Sequence, residues 1–299
     1  MKSKFRRMDA MEISFGTIML LQIGIGVSVN AFLLLFYTRM VSASHRLSYS
    51  DLILAHPALA NSLTLLSRGI PDTFYIWGLI NFLDDMGCKT LIYLYRVCHG
   101  LSICTTCLLS IFQAVTISPS TSWWAGVKAK LPKCVILSCL FSWVMNLLIN
   151  LYILKYVKGP WNSTSVQIVM DLKYCIEVSA EPETKLAIAE VLPLRDLFLG
   201  LMSTASGYMV FVLHRHHRQV RHLHGPSSSL RVMPEVQAAK RVVALVTLYV
   251  FLYGRQAIML SVIINMKEKS PLMVRVHLHL SFSFSVVSPF LIIHSDRRV

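Results

Sequence analysis

Three groups of side chains in this 299-residue sequence have types and spacings that could do chemistry. Cys104-Thr105-Thr106-Cys107 has the C-x-x-C spacing of a dithiol redox pair, which needs a strand-turn-helix setting that lowers one thiol's pKa and leaves it accessible. His214-Arg215-His216-His217, with His222 and His224, looks like one histidine cluster of an iron site. A di-iron site needs ligands converging from several segments; His45, His56, His99, His277, His279 and His294 make no matching clusters. The interleaved Arg215, Arg218 and Arg221 would repel a cation. The third group comprises ionisable residues in apolar surroundings: Arg68, Arg96, Arg195, Arg255 and Arg275, with Asp51, Asp72, Glu190 and Asp196. Their natural chemistry is recognition, because charge at membrane depth is costly and faces a bundle interior or cavity. A Gly-rich phosphate loop, H-E-x-x-H and a nucleophile elbow are all missing from the sequence, so neither an enzyme nor a cofactor or metal is expected.

The elements that must position these residues follow from composition. Apolar residues make up 55% and charged residues 15%, with a mean hydropathy of +0.57; a soluble domain carries about 25% charged residues. Seven apolar stretches, 13–37, 51–79, 90–117, 134–154, 186–213, 242–266 and 272–294, can each cross a bilayer as a helix of about 20–25 residues. The expected fold is an all-α membrane protein, a seven-transmembrane-helix bundle in one domain spanning 1–299. Residues 1–12 would form an extracellular amino terminus, 13–294 the bundle and 295–299 a very short cytoplasmic tail. The fifth stretch is the weakest, since Glu190, Pro193, Arg195 and Asp196 interrupt its first half. The C-x-x-C pair then falls inside the third span, where small residues serve helix packing.

Charge placement tests the topology. The formal charge is +14, from 29 Lys and Arg against 15 Asp and Glu. With the amino terminus outside, the inner segments hold 13 Lys and Arg and the outer ones 11. The positive-inside rule counts these cations, and removing Lys2, Lys4, Arg6 and Arg7 would leave 7 outside. Met8 or Met11 is therefore the expected working start. The basic inner loops carry Lys128, Lys130, Arg215, Arg218 and Arg221, suited to anionic lipid or an acidic protein surface. Nucleic acid is not the expected partner.

On the outer side, Cys88 opens the third span and Cys175 lies in the loop 155–185. These are the two cysteines that share an oxidising compartment in this topology, so a disulfide between them is expected, the alternative being two free thiols. Asn162-Ser163-Thr164 is a glycosylation acceptor in the same loop. Within the spans, Arg68 and Asp72 are spaced to pair across one helical turn. Arg96 with His99 and Arg195 with Glu190 fall in the outer parts of the third and fifth spans, Arg255 with Gln256 near the middle of the sixth, and Arg275 with His279 at the start of the seventh. Together they predict an outward-opening pocket for a small molecule bearing a carboxylate or sulfate on an apolar body. The plainer alternative is that Arg195 and Arg275 snorkel to headgroups.

A set of local motifs carries a specific resemblance. They are His45-Arg46-Leu47, Asp51-Leu52-Ile53-Leu54, Ala58-Leu59-Ala60-Asn61-Ser62-Leu63, Arg68-Gly69-Ile70-Pro71, Asn81-Phe82-Leu83-Asp84-Asp85, Gly87-Cys88-Lys89, the run from Gly100 to Ser110, Phe112-Gln113-Ala114, Ile117-Ser118-Pro119, Ser206-Gly207-Tyr208-Met209-Val210 and Val287-Ser288-Pro289-Phe290. Along nearly the whole chain these resemble the vomeronasal type-1 receptors. The resemblance implies a rhodopsin-like G-protein-coupled receptor in the plasma membrane of sensory neurons, responding to pheromone-like small molecules through a heterotrimeric G protein of the inhibitory class. Cys88, Cys175 and Asn162 match that family's loop disulfide and glycosylation positions. Three departures from the family's pattern are Cys98-His99 in place of Ala-Arg, Pro57 inside the second span, where a kink is expected, and the stop at Val299 just after the seventh. A truncated, non-functional receptor is the alternative these raise. A small-solute transporter is a further rival, disfavoured because the sequence shows no internal repeat.

Overall fold

The computed structural model describes residues 4–5, 9–43, 49–80, 82–118, 122–159, 168–171, 175–178, 200–201, 203–212, 214, 234–265 and 271–295. Helices dominate: α1 (Ala10–Ala43), α2 (Tyr49–Thr64), α3 (Ile70–Ile76), α4 (Asp85–Ile117), α5 (Ser122–Ile149), α6 (Ile153–Tyr156), α7 (Pro234–Asn265), α8 (Pro271–Ser281) and α9 (Ser283–Ser295), with residues 203–212 also helical. Among the described residues, Ala10–Met40, Asp85–Thr116 and Lys133–Tyr156 are long and apolar enough to cross a membrane, and Val242–Leu252 and His279–His294 are shorter apolar helices.

The helix α4 is the centre of the bundle. Asp84 caps its start, accepting a hydrogen bond from the Gly87 amide at 2.8 Å, which satisfies one of the amides left open at a helix amino terminus. Its most apolar stretch is 72% buried, against 28% for the corresponding stretches of α1 and of the helix pair α5–α6. So mixed a helix can be buried because its hydroxyls bond back along their own helix: Thr105 to Leu101, Thr106 to Ser102 and Ser110 to Thr106. Gly100 lets α5 come close, since a Cβ there would overlap the Asn146 side chain. By contrast, α5 leaves Leu137, Phe141, Val144 and Leu148 exposed at helical spacing. An apolar stripe of that kind is what a helix presents to lipid.

The second predicted span is not one regular helix. It runs through Pro57 without interruption, the His56 ring nitrogen Nδ1 lying 2.8 Å from the Leu52 carbonyl oxygen beside the proline. The departure from α geometry comes later, as a π-helical stretch at Leu65–Gly69 leading into α3. After α3, Gly78 takes a φ of 78°, a left-handed turn that glycine makes at little cost. The seventh predicted span is likewise divided, at the buried Phe282 between α8 and α9.

The expectation of helices throughout is also modified at one end. β1 (Lys4–Phe5) pairs antiparallel with β2 (Leu79–Ile80), and β3 (Val157–Lys158), β5 (Ile176–Val178) and β4 (Ile168–Asp171) form a three-stranded antiparallel sheet in that order. Cross-strand pairing gives connecting segments the partners their backbone amides and carbonyls need. Cys175, next to β5, is disulfide-bonded to Cys88 in the first turn of α4. Both cysteines are fully buried with Ile92, Ile153 and Val157. The larger core lies toward the opposite end, where Leu33, Tyr37, Ile53, Leu54, Leu109, Val135, Met209, Leu245, Val246 and Ile292 meet.

Candidate functional site

In the half of the bundle nearer the disulfide, a narrow cleft opens between five elements. Thr64 contributes from α2, Tyr95, His99 and Ser102 from α4, Tyr249 and Leu252 from α7, and Leu280, Ser281, Phe284 and Ser285 from α8 and α9. It has room for little more than water. Phe284 meets the Tyr249 ring edge-on at 4.9 Å, while the rings of Tyr95 and His99 stack at 5.8 Å with 17° between their planes. Its wall is thus largely aromatic and aliphatic, with a few hydroxyls, the usual make-up of a small-molecule site.

On one side of the cleft a neutral polar network joins three helices. Ser102 donates to the Asn61 side-chain oxygen at 3.2 Å, and the Asn61 amide donates to Ser288 Oγ at 3.1 Å. All three residues are buried. Asn30 similarly ties α1 to α9, donating to the Ser285 carbonyl at 2.9 Å. On the other side, toward the disulfide end, the polar residues are charged. Arg68 pairs with the buried Asp72 at 3.4 Å, and its guanidinium sits 4.6 Å from the centre of the Tyr95 ring, a cation–π distance. Arg255 donates through Nη2 to the Leu280 carbonyl at 3.1 Å, at the break between α8 and α9. His277 is buried, within electrostatic reach of Arg68 and Arg255.

The opposite end of the bundle carries a second junction. Ser118 caps α4, its hydroxyl shares a hydrogen bond with Tyr208 at 3.0 Å, and its carbonyl accepts from Lys128 Nζ at 2.7 Å. A cation there suits the negative end of the helix dipole. Lys130 is exposed.

Of the residues singled out from sequence, His99 lines the cleft and Arg255 stands beside it. Arg96 is partly buried on α4 and does not line it. His279 turns to α1: Nδ1 is 3.0 Å from Gln22 Oε1, Nε2 is 3.0 Å from the Phe15 carbonyl oxygen, and Gln22 donates back to the His279 carbonyl. Gln256 and Arg275 stand on α7 and α8. Asn162, Glu190, Arg195, Arg215, Arg218 and Arg221 lie outside the described residues. Asp51 is buried. Cys104 and Cys107 are buried in α4, and the Asn146 amide lies 3.5 Å from Cys104 Sγ. Sequence reasoning missed His277 and read Arg68 only as half of an ion pair. Helical spacing held the signal, because Arg68, Arg255 and His277 stand four, three and four positions from Thr64, Leu252 and Ser281, all of which line the cleft.

Comparison with known proteins agrees with this architecture. A family model described as "Vomeronasal organ pheromone receptor family" matches residues 13–299. The chain is 37% identical to vomeronasal type-1 receptor 3 of Homo sapiens, covering 98% of this chain and 94% of that protein. It is 36% identical to vomeronasal type-1 receptor 4 of Homo sapiens over 92% of each. It is also 35% identical to olfactory receptor class A-like protein 1 of Danio rerio, over 98% of this chain and 92% of that one.

Proposed function

The chain belongs to the vomeronasal organ pheromone receptor family, a family of multi-pass membrane receptors, and from that premise we propose that it is a seven-helix chemosensory receptor for a small anionic molecule. Residues 203–212 and the pairs α2–α3, α5–α6 and α8–α9 would then belong to single spans, each bent rather than ended where its α geometry breaks. The disulfide between Cys88 and Cys175 favours an extracellular location for that end of the bundle, since such bonds persist in oxidising compartments. The amino terminus and Asn162 would share that side, and the carboxyl terminus would face the cytoplasm.

The observation that carries the reading is the cleft between α2, α4, α7 and α8–α9. It lies in the disulfide half, with an apolar wall and cations along one edge. His99 and Arg255 are the sequence candidates that stand at it; Arg96, Gln256, Arg275, Glu190 and Arg195 would act from around it, and His279 would serve to hold α8 on α1. Because the closed cleft is narrow, a ligand must part its aromatic walls, favouring a different arrangement of α7 and α8–α9 against α4. The far consequence would fall at the Ser118–Tyr208–Lys128 junction. Its rearrangement would expose a crevice to an inhibitory-class G protein, with Lys128, Lys130, Arg215, Arg218 and Arg221 facing that protein's acidic surface.

The test is guanine-nucleotide exchange on a purified inhibitory-class G protein, with the full chain reconstituted in lipid vesicles and challenged with a panel of small carboxylates, sulfates and neutral compounds. Exchange evoked by at least one anionic compound supports the reading. Solute flux across the same vesicles without exchange would replace the receptor by a transporter.

A further inference from the structure

We propose that Arg68, Arg255 and His277 form a subsite that takes one compact anionic group, a carboxylate or a sulfate, at the edge of the cleft. The proposal rests on the cleft being a ligand site and deepens that reading by naming the atoms that would meet the charge. Geometry comes first. Thr64, Leu252 and Ser281 line the cleft on three different elements. One helical step from each toward the disulfide end stand Arg68, Arg255 and His277, so the three side chains belong to one level of the bundle. The Arg68 guanidinium lies over Tyr95, itself a wall of the cleft, and both guanidiniums fall within electrostatic reach of His277.

The state of their polar atoms is the second observation. His277 is 9% exposed and its Nδ1 has no hydrogen-bond partner. Arg255 uses Nη2 on the Leu280 carbonyl, but its buried Nε has none. Buried donors are nearly always satisfied, and each one left open costs free energy. Asp72 is paired with Arg68, while the Arg68 and Arg255 guanidiniums both bear on His277. An oxyanion accepting from Arg255 Nε and from an Nδ1–H tautomer of His277 would close both open positions and offset the excess charge. The apolar remainder of such a molecule has Leu252, Leu280 and Phe284 to rest on.

The experiment measures the thermal unfolding midpoint of the full-length receptor in phosphatidylcholine nanodiscs with gluconate as the background anion, while benzoate, its neutral counterpart benzamide, or chloride is titrated. A saturable upward shift with benzoate is expected, weakened about tenfold or more in apparent affinity by Arg255→Gln and by His277→Leu, the loss expected for one charge-assisted hydrogen bond. Arg255→Lys should restore part of it, which separates loss of charge from loss of fold. The same variant-sensitive shift with chloride would place a free anion in the subsite, and its confinement to benzoate would assign the subsite to the ligand's own carboxylate. No shift with benzoate, or a shift that survives both substitutions, overturns the proposal. The two readings fail differently. Variant-sensitive binding of benzoate in a chain that no compound drives to nucleotide exchange leaves the subsite and removes the receptor reading. Exchange evoked with equal potency in wild type and both variants does the reverse.

Discussion

The cleft divides two gatherings of buried or partly buried polar side chains that differ in what their atoms are doing. On one side Asn61, Ser102 and Ser288 are neutral and bonded to one another across three helices. On the other, Arg68 and Arg255 bring charge beside the buried His277, and one buried nitrogen each of Arg255 and His277 has no partner. The first arrangement is complete without a ligand, so its free energy goes into holding α2, α4 and α9 together. The second is incomplete, and an incomplete polar group in a low-dielectric interior is destabilising until something fills it. If the proposed subsite takes a ligand, stability and recognition fall on neighbouring levels of one bundle, and substitutions on the two levels should separate them.

The most drastic way to break the comparison removes the fastening of the disulfide end. Cys88→Ser or Cys175→Ser opens a closure of 87 residues, for which loop entropy gives ~4.6 kcal/mol. The fraction of receptor reaching the cell surface should collapse, as read by antibody labelling of intact cells. A smaller effect is expected from Asn61→Leu, which leaves the Ser102 and Ser288 hydroxyls buried without their partner. It should cost about 2–3 kcal/mol, lowering the thermal midpoint, whereas Arg255→Gln should leave that midpoint within the range of a neutral change. Gly100→Val puts side-chain atoms where Asn146 already lies and should cost about 2 kcal/mol by forcing α5 away from α4, again read as a lowered midpoint. Tyr208→Phe removes one partly buried hydrogen bond to Ser118. It should cost about 1 kcal/mol, with raised basal nucleotide exchange if the junction restrains the inactive arrangement.

How far this division can be seen in the sequence depends on the range of the interaction. The end of α4 is legible: the expected stretch 90–117 ends where α4 ends, at Ile117, two residues before Pro119, whereas its start lies earlier, at Asp85, where the Asp84 cap extends the helix beyond the apolar run. The cysteine pairing is legible because topology leaves few partners. Several motif residues behind the family resemblance, Asn61, Ser102 and Ser288 among them, prove to be one contact. Pro57 shows the limit of local rules, since α2 passes through it and the irregular geometry appears at Leu65–Gly69 instead. His279 shows another. Its partners on α1 are more than 250 positions away, beyond any periodic pattern. His277 was invisible for the complementary reason, as a single histidine in an apolar helix signals nothing until Arg68 and Arg255 are seen beside it. The strand pairing of Lys4–Phe5 with Leu79–Ile80 is likewise a long-range contact between short segments of no marked β pattern.

The most direct test of the division between the two levels is the dose–response of nucleotide exchange to one activating anionic compound, measured on wild type, Arg255→Gln and Asn61→Leu in the same vesicles and set against their thermal midpoints. The account predicts that Arg255→Gln shifts the half-maximal concentration about tenfold or more with little change in midpoint, and that Asn61→Leu lowers the midpoint with little change in half-maximal concentration. An Arg255→Gln receptor that responds like wild type, or one whose lost response simply tracks a lost midpoint, would contradict it.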